Sequence, residues 1–183
     1  MSGHSHWAGI KHKKGSADQK RGLVFSKLLN AISIAAKTET NPQFNPRLRT
    51  AIEKAQQNNV PKDNIERAIK RALEQKDLEE LIIEAYGPEG SAVLIEAITD
   101  SRNRTISEIK KVLSDNNAKF GEQGSVKWAF DQSADKRGLD ADERGNWIVK
   151  FKQEISEQAK QKLQELIEEL EERDDVQKIY TNI

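Results

Sequence analysis

The sequence predicts an α+β protein in which a small three-helix domain precedes a domain with a largely antiparallel sheet and helices on one face. Apolar residues recur at helical spacing in the first part of the chain and follow strand patterns from Leu78 onward. The charge changes sign at the same place, because residues 1–77 hold 15 Lys and Arg against 7 Asp and Glu, whereas residues 78–183 hold 15 against 23. We therefore predict two domains, 1–77 and 78–183, joined by a linker at residues 75–77.

Apolar stripes and capping residues predict the three helices of the first domain. Residues 1–15 are basic and have no apolar period, so we expect an irregular N-terminal arm there. The first helix is predicted after Ser16, the second at Asn45-Pro46, where a capping residue precedes proline, and the third after Pro61. The predicted inward residues are Phe25, Leu28, Leu29, Ile32, Ala35 and Ala36, then Leu48, Ala51, Ile52 and Ala55, then Ile65, Ala68, Ile69, Ala72 and Leu73.

Strands and helices alternate in the predicted second domain. Residues 82–86 and 92–98 flank turn-forming residues and predict a β-hairpin. Thr105 and Glu108 form a capping-box pattern and predict the start of a helix. The remaining predictions are a third strand with Val126, Trp128 and Phe130 on one face, a fourth strand at residues 147–151, an acidic helix with Ala159, Leu163, Leu166, Ile167 and Leu170 inward, and a short strand at residues 176–180.

Residues 131–146 separate the third and fourth predicted strands. They are rich in Asp, Lys, Arg and Gly, a composition that cannot bury a core, so we expect an exposed loop inside one continuous domain. The strands on either side are expected to share one sheet. Their residues Val126, Trp128, Ile148 and Phe151 are expected to pack on the acidic helix.

Enzymatic and metal-dependent functions are not expected. The three histidines all fall within the first 12 residues, away from a scaffold for a hydrolytic triad, and no Walker A, G-x-G-x-x-G or H-E-x-x-H pattern occurs. The absence of cysteine excludes disulfides and thiolate sites and favours the cytoplasm. No apolar run approaches the roughly 20 residues of a membrane span. We expect a cytoplasmic non-enzyme without metal, cofactor, small-molecule substrate or membrane contact.

Clustered cations predict a contact with a phosphate backbone, since each phosphate neutralised by Lys or Arg releases counterions. Trp7 could stack on an exposed base. Residues 101–105 add arginines at a helix start, where free N–H groups also bind phosphate. Solvated helix faces, a core role for Trp7 and a simple capping turn at residues 101–105 are the alternatives. The candidate nucleic-acid-binding residues are Trp7, Lys11, His12, Lys13, Lys14, Lys20, Arg21, Lys27, Arg47, Arg49, Lys62, Arg67, Lys70, Arg71, Arg102 and Arg104.

Several motifs occur in the order in which one protein family carries them. They include residues 3–14, which begin Gly3-His4-Ser5-His6-Trp7, and the segments 45–49, 61–69 and 102–105. With shorter matches they cover nearly all of residues 3–130 and 147–182, and they resemble the YebC/PmpR family, which includes the mitochondrial translational activator of cytochrome c oxidase subunit I. The resemblance implies a helical N-terminal domain followed by α/β lobes. It also implies one lobe more than this chain has, since residues 131–146 stand in its place.

The resemblance implies two kinds of function, because family members are described as DNA-binding transcriptional regulators or as translation factors on the ribosome or messenger RNA. We favour a ribosome- or RNA-associated translation factor, with ribosomal or messenger RNA and the ribosome as partners. No helix pair shows the tight Gly-containing turn of a helix-turn-helix, and the cations are spread over an arm and three helices, which suits structured RNA. The alternative is a transcriptional regulator on promoter DNA, and a weaker one is a protein-interaction adaptor that uses the acidic helix.

Overall fold

The chain folds as a helical region followed by an α+β region, the fold class that the sequence predicts. The computed structural model describes the backbone of residues 4–74, 78–132 and 147–183, and the side chains of these ranges from residue 18 onward. The elements are α1 (His4–Ala36), α2 (Pro46–Gln57), α3 (Lys62–Glu74), β1 (Glu79–Tyr86), β2 (Ala92–Thr99), α4 (Arg102–Asp115), β3 (Lys119–Phe120), β4 (Phe130–Gln132), β5 (Trp147–Val149), α5 (Glu157–Glu171) and β6 (Val176–Thr181).

The helical region forms around the apolar stripes that the sequence shows. The Asn45 side chain accepts a hydrogen bond from the Leu48 N–H at 2.9 Å, and Pro46 occupies the first turn, so α2 begins where its cap predicts. Leu73 is an exception, because it is 69% exposed although we predicted it to be inward. α3 packs through Ile65, Ala68 and Ala72, and Leu73 points roughly a quarter of a turn away from them. The buried cluster comprises Ile32, Ala35, Ala36, Leu48, Ala55, Val60, Ile65, Ala68 and Ala72.

The N-terminal segment is helical and not an irregular arm. α1 begins at His4, so the prediction of a helix start after Ser16 was wrong. Residues 4–15 contain no proline to break the backbone hydrogen bonds, and their polar composition leaves no apolar stripe for periodicity to detect. The side chains of Trp7, Lys11, His12, Lys13 and Lys14 lie outside the described residues, as do residues 133–146 of the predicted loop and the linker at residues 75–77.

The main sheet is antiparallel throughout, with strand order β3-β1-β2-β6. The predicted hairpin, acidic helix and closing strand are all present. Alternate residues of each strand face α4 and α5, because successive side chains in a strand point to opposite faces. The core on this face comprises Leu81, Ile83, Ala85, Val93, Ile95, Ala97 and Val176 from the sheet and Ile109, Val112, Leu113, Ala159, Leu163, Leu166 and Leu170 from the two helices.

The opposite face of the sheet is covered in two places. Near one end, Ile98 and Leu78 pack with Ile34 of α1, which brings the helical region against the sheet. Further along, Ala92 and Leu94 of β2 pack with residues around β4 and β5, among them Phe130 and Trp147. None of the helices within the described ranges carries an apolar stretch long enough to cross a bilayer.

The predicted third strand is a turn over most of its length. Residues 127–129 form a 3-10 turn, and β4 begins only at Phe130. β4 pairs with β5, as expected for the strands that flank residues 131–146, but the pair is a separate two-stranded sheet in which Gln132 lies opposite Trp147. Trp128, Ile148 and Phe151 are 61%, 55% and 51% exposed, and Val126 is buried against Ala92 and Leu94 of β2. The prediction that these four residues pack on α5 was therefore wrong.

Glu84 explains why this segment turns. Its carboxylate reaches from β1, is 4% exposed, and accepts the N–H groups of Gly124, Val126 and Lys127 at 2.6, 2.7 and 2.8 Å. In an extended strand these N–H groups would bond to a neighbouring strand. Here one side chain accepts all three of them. Gly121 lets the chain approach this closely, because a Cβ there would lie 3.1 Å from the Glu84 carbonyl oxygen. The strand that pairs with β1 at this edge of the main sheet is the two-residue β3, which the sequence did not predict.

We expect limited proteolysis to cut near residues 75–77 and to leave a folded C-terminal fragment. The helices and the sheet each have a core of their own, so the sheet with α4 and α5 has the contacts to stay folded alone. Mass spectrometry of the products and circular dichroism of the purified fragment measure the outcome. A protease-resistant core that continues across the linker would contradict the two-domain prediction.

Candidate nucleic-acid interface

Exposed cations on the outer sides of α1, α2 and α3 form the candidate interface. In α3, the inward positions of Ile65, Ala68 and Ala72 direct Lys70 and Arg71 to solvent. Neither cation has an ion-pair partner among the described side chains. We call the exposed candidates of this region the helix cations: Lys20, Arg21, Arg49, Lys62, Arg67, Lys70 and Arg71.

Three helix cations make local contacts that leave their charge accessible. The Arg21 guanidinium carbon lies 5.2 Å from the centroid of the Phe25 ring, a cation–π contact. Arg67 donates to the Asp63 carbonyl oxygen at 3.1 Å and to the Asn64 side chain at 2.6 Å. Lys62 lies 3.5 Å from Glu66, with both side chains largely exposed. Such a surface pair contributes little free energy, so a phosphate can compete for the lysine.

Two candidates of the helical region face inward, toward a cleft between the helices and the sheet. The cleft has a volume of about 510 Å³ and is lined by α1, α2, β1, β2 and β6. Arg47 forms an ion pair with Glu80 of β1, and Lys27 donates to the Glu171 carbonyl oxygen at the end of α5. Burial lowers the pKa of Lys27, and Glu171 and Asp174 oppose this effect. Arg47 and Lys27 therefore hold the helical region on the sheet.

The arginines at the start of α4 are also engaged. Arg104 lies 3.1 Å from Asp175 and 3.0 Å from Asp100, and the hydrogen bond to Asp175 raises the pKa of its guanidinium. Arg102 lies 3.5 Å from Glu79. Carboxylates of the α+β region therefore pair with these two arginines, although both arginine side chains remain exposed.

The capping-box prediction at Thr105 was wrong. Ser101 occupies the cap position, α4 begins at Arg102, and Thr105 is buried in the first turn. The Thr105 hydroxyl lies 2.5 Å from Asp175 and 2.8 Å from the Thr99 hydroxyl. This end of the helix is therefore fastened to β2 and to the turn before β6.

Among the described side chains, the structure separates the sequence candidates into two groups. The helix cations contact no described group of the α+β region, whereas Lys27, Arg47, Arg102 and Arg104 contact its carboxylates or a backbone carbonyl. The carboxylates that pair with these cations, such as Glu80 and Asp175, were not among the functional residues predicted from the sequence. No group of three or more His, Asp or Glu side chains in the described part of the chain is arranged to hold a metal ion.

Comparison with known proteins identifies related sequences and a related structure. A family model described as the TACO1/YebC protein N-terminal domain matches residues 5–75, and one described as the TACO1/YebC second and third domain matches residues 78–135 and 135–183. A probable transcriptional regulatory protein of Trichlorobacter lovleyi is 54% identical over 136 residues, which cover 72% of this chain and 55% of the relative. One of Geobacter sulfurreducens is 52% identical over 143 residues, covering 76% and 56%.

A solved structure resembles the whole arrangement. The crystal structure of a conserved hypothetical protein from Aquifex aeolicus has a TM-score of 0.79 and 35% sequence identity, and the match covers 97% of this chain and 96% of that one. By contrast, the chain spans about half the length of the curated relatives that it matches.

Proposed function

Because the chain belongs to the TACO1/YebC family, we propose that it is a regulator of gene expression that binds RNA, on or near the ribosome, and catalyses no reaction. The curated relatives are named probable transcriptional regulatory proteins, which supports a regulatory role. The proposal concerns this chain, whose match covers 55% and 56% of these two relatives.

The observation that carries the proposal is the placement of the helix cations. Lys20, Arg49, Lys70 and Arg71 are exposed on three different helices, and none has a side-chain partner in the described structure. Cations of this kind attract phosphates and release counterions when they bind them. Their distribution over several helices suits the irregular backbone of a folded RNA better than the two equivalent half-sites of an operator.

Binding to promoter DNA is the second candidate, and the names of the relatives favour it. α3 offers the corresponding geometry, since Arg67, Lys70 and Arg71 share one side of an exposed helix. A helix presented in this way can enter a major groove.

Co-sedimentation distinguishes the two candidates. We expect the protein to migrate with ribosomes through a sucrose gradient at low salt and to be released as the salt concentration rises. Competition with ribosomal RNA and with genomic DNA fragments of equal charge measures the preference. Migration with DNA fragments in place of ribosomes would assign the protein to promoters instead.

Simultaneous substitution of glutamine for Arg49, Lys70 and Arg71 should weaken RNA binding and reduce its dependence on salt concentration. Each lost phosphate contact removes about 0.7–0.9 from the log–log slope, so we expect a decrease of about two units. Fluorescence anisotropy at several salt concentrations measures the slope. The matched control removes three exposed cations from the α+β region, Lys111, Lys119 and Lys162, and should leave the slope unchanged. Equal effects of the two triple variants would show that net charge, and not this surface, determines binding.

A further inference from the structure

Two exposed aromatic rings lie side by side at the edge of the β4–β5 pair. Trp128 is 61% exposed and Phe151 is 51% exposed. Their ring centroids are 5.6 Å apart and their planes are inclined at 48°. Exposed apolar side chains that lie next to each other can mark a contact surface, and the core and cation arguments above do not use these two.

The Trp128 ring is held in position although it is exposed. Its indole N–H donates to the Ser125 carbonyl oxygen at 2.8 Å, so the polar atom of the ring is already satisfied. The backbone just before Trp128 is fixed by the Glu84 carboxylate, which accepts the N–H groups of Val126 and Lys127. A ring held in this way loses little conformational entropy when a ligand covers its face.

Lysines adjoin both aromatic residues in the sequence, since Lys127 precedes Trp128 and Lys150 and Lys152 flank Phe151. Lys150 Nζ lies 5.7 Å from the Phe151 ring centroid and 3.4 Å from Asp131, in an exposed ion pair that a phosphate can replace. Lys127 Nζ lies 5.2 Å from the ring of Trp147, and Lys152 is exposed next to Phe151. Flat rings flanked by cations match the two parts of an unpaired nucleotide, which are the base and the phosphate.

We propose that Trp128 and Phe151 form a stacking site for an unpaired base of a single-stranded nucleic acid, with Lys127, Lys150 and Lys152 close to its phosphates. The proposal rests on the proposed function and adds a second contact, in the α+β region and separate from the helix cations. It also gives a role to the turn that Glu84 forms, since that turn positions Trp128. A base in a duplex is already stacked on its neighbours, so the site distinguishes single strands from duplexes.

The test compares a short uridine oligonucleotide with an RNA duplex of the same length, with binding measured by fluorescence anisotropy. Trp128→Ala should weaken binding of the single strand by roughly tenfold and leave duplex binding unchanged, because stacking is lost while every charge remains. Trp128→Phe should restore most of the affinity, whereas Trp128→Leu, which keeps apolar area without an aromatic face, should not. Ile148→Ala is the matched control, since Ile148 is similarly exposed in β5 but has no ring.

Each other outcome overturns a distinct statement. If wild type binds both RNAs and Trp128→Ala binds them equally well, the stacking site is wrong and the proposed function stands. If Trp128→Ala loses both RNAs equally, Trp128 does not distinguish single strands. If wild type binds neither RNA, the proposed function and the stacking site both fail. If a proline-rich peptide, but not the oligonucleotide, binds the wild type and loses affinity for Trp128→Ala, the rings bind a protein partner instead. Thermal unfolding of each variant checks that the fold is retained.

Discussion

Replacing Glu84 with alanine is expected to lower the free energy of unfolding by about 3–5 kcal/mol. Three backbone N–H groups lose their charged acceptor, and water cannot reach all three to replace it. Two of the three are only partly buried, which is why the loss stays below the sum of three full desolvation penalties. Urea titration followed by circular dichroism measures the change. Tryptophan fluorescence should also change, because the turn that carries Trp128 loses its anchor.

Two variants make the effect of Glu84 specific. Glu84→Gln keeps one acceptor oxygen and should cost less than alanine. Glu122→Ala removes an exposed glutamate from the same segment and should leave the stability unchanged. A loss of less than about 1 kcal/mol in Glu84→Ala would show that the three donors find other acceptors, and the account of the turn would then be wrong.

The largest expected effect on binding comes from the N-terminal lysines. Replacing Lys11, Lys13 and Lys14 with alanine should reduce the log–log salt slope by about two to three units. Adding the glutamine substitutions at Arg49, Lys70 and Arg71 should remove about four to five units in total, which leaves little affinity at physiological salt.

Anisotropy titrations between low and physiological salt measure both effects. The control again removes Lys111, Lys119 and Lys162. An unchanged slope in the triple-lysine variant would mean that these residues do not contact phosphate, while a loss that is independent of salt would point to misfolding of α1.

The sequence predicted the elements whose signals are local. α2 begins at the Asn45 cap with Pro46 behind it, and the apolar stripe of α5 packs as its spacing indicates. Errors occurred where a distant residue decides the local structure. Residues 126–130 alternate as a strand does, but a carboxylate from β1 accepts the N–H groups of Val126 and Lys127. The pattern around Thr105 matches a capping box, but its hydroxyl contacts Asp175, which lies 70 residues further along the chain.

The same limit applies to the candidate interface. Sequence shows which residues are cations but not which carboxylates they meet. Arg47 and Glu80 are 33 positions apart, and the partner of Lys27 is a backbone carbonyl 144 positions away, so no local pattern marks either pair. Lys70 and Arg71 were easier to predict, because they lie outside the apolar stripe of their own helix. Trp128 was assigned to the core because residues 126–130 alternate as a strand does, and the same alternation concealed the turn that exposes its ring.

The pairing of Gln132 with Trp147 has a consequence for how such a protein can change over evolution. Residues that face each other across an antiparallel ladder have Cα atoms about 5 Å apart, so the chain leaves and re-enters the fold at adjacent points. Any insert whose own ends are close together can be spliced there, or deleted, without separating the two strands. The two stretches matched by the second-and-third-domain model meet at residue 135, just past the end of β4. A whole lobe can therefore be inserted or lost between β4 and β5 during evolution. The sheet, its helices and the surface that carries the helix cations need not change.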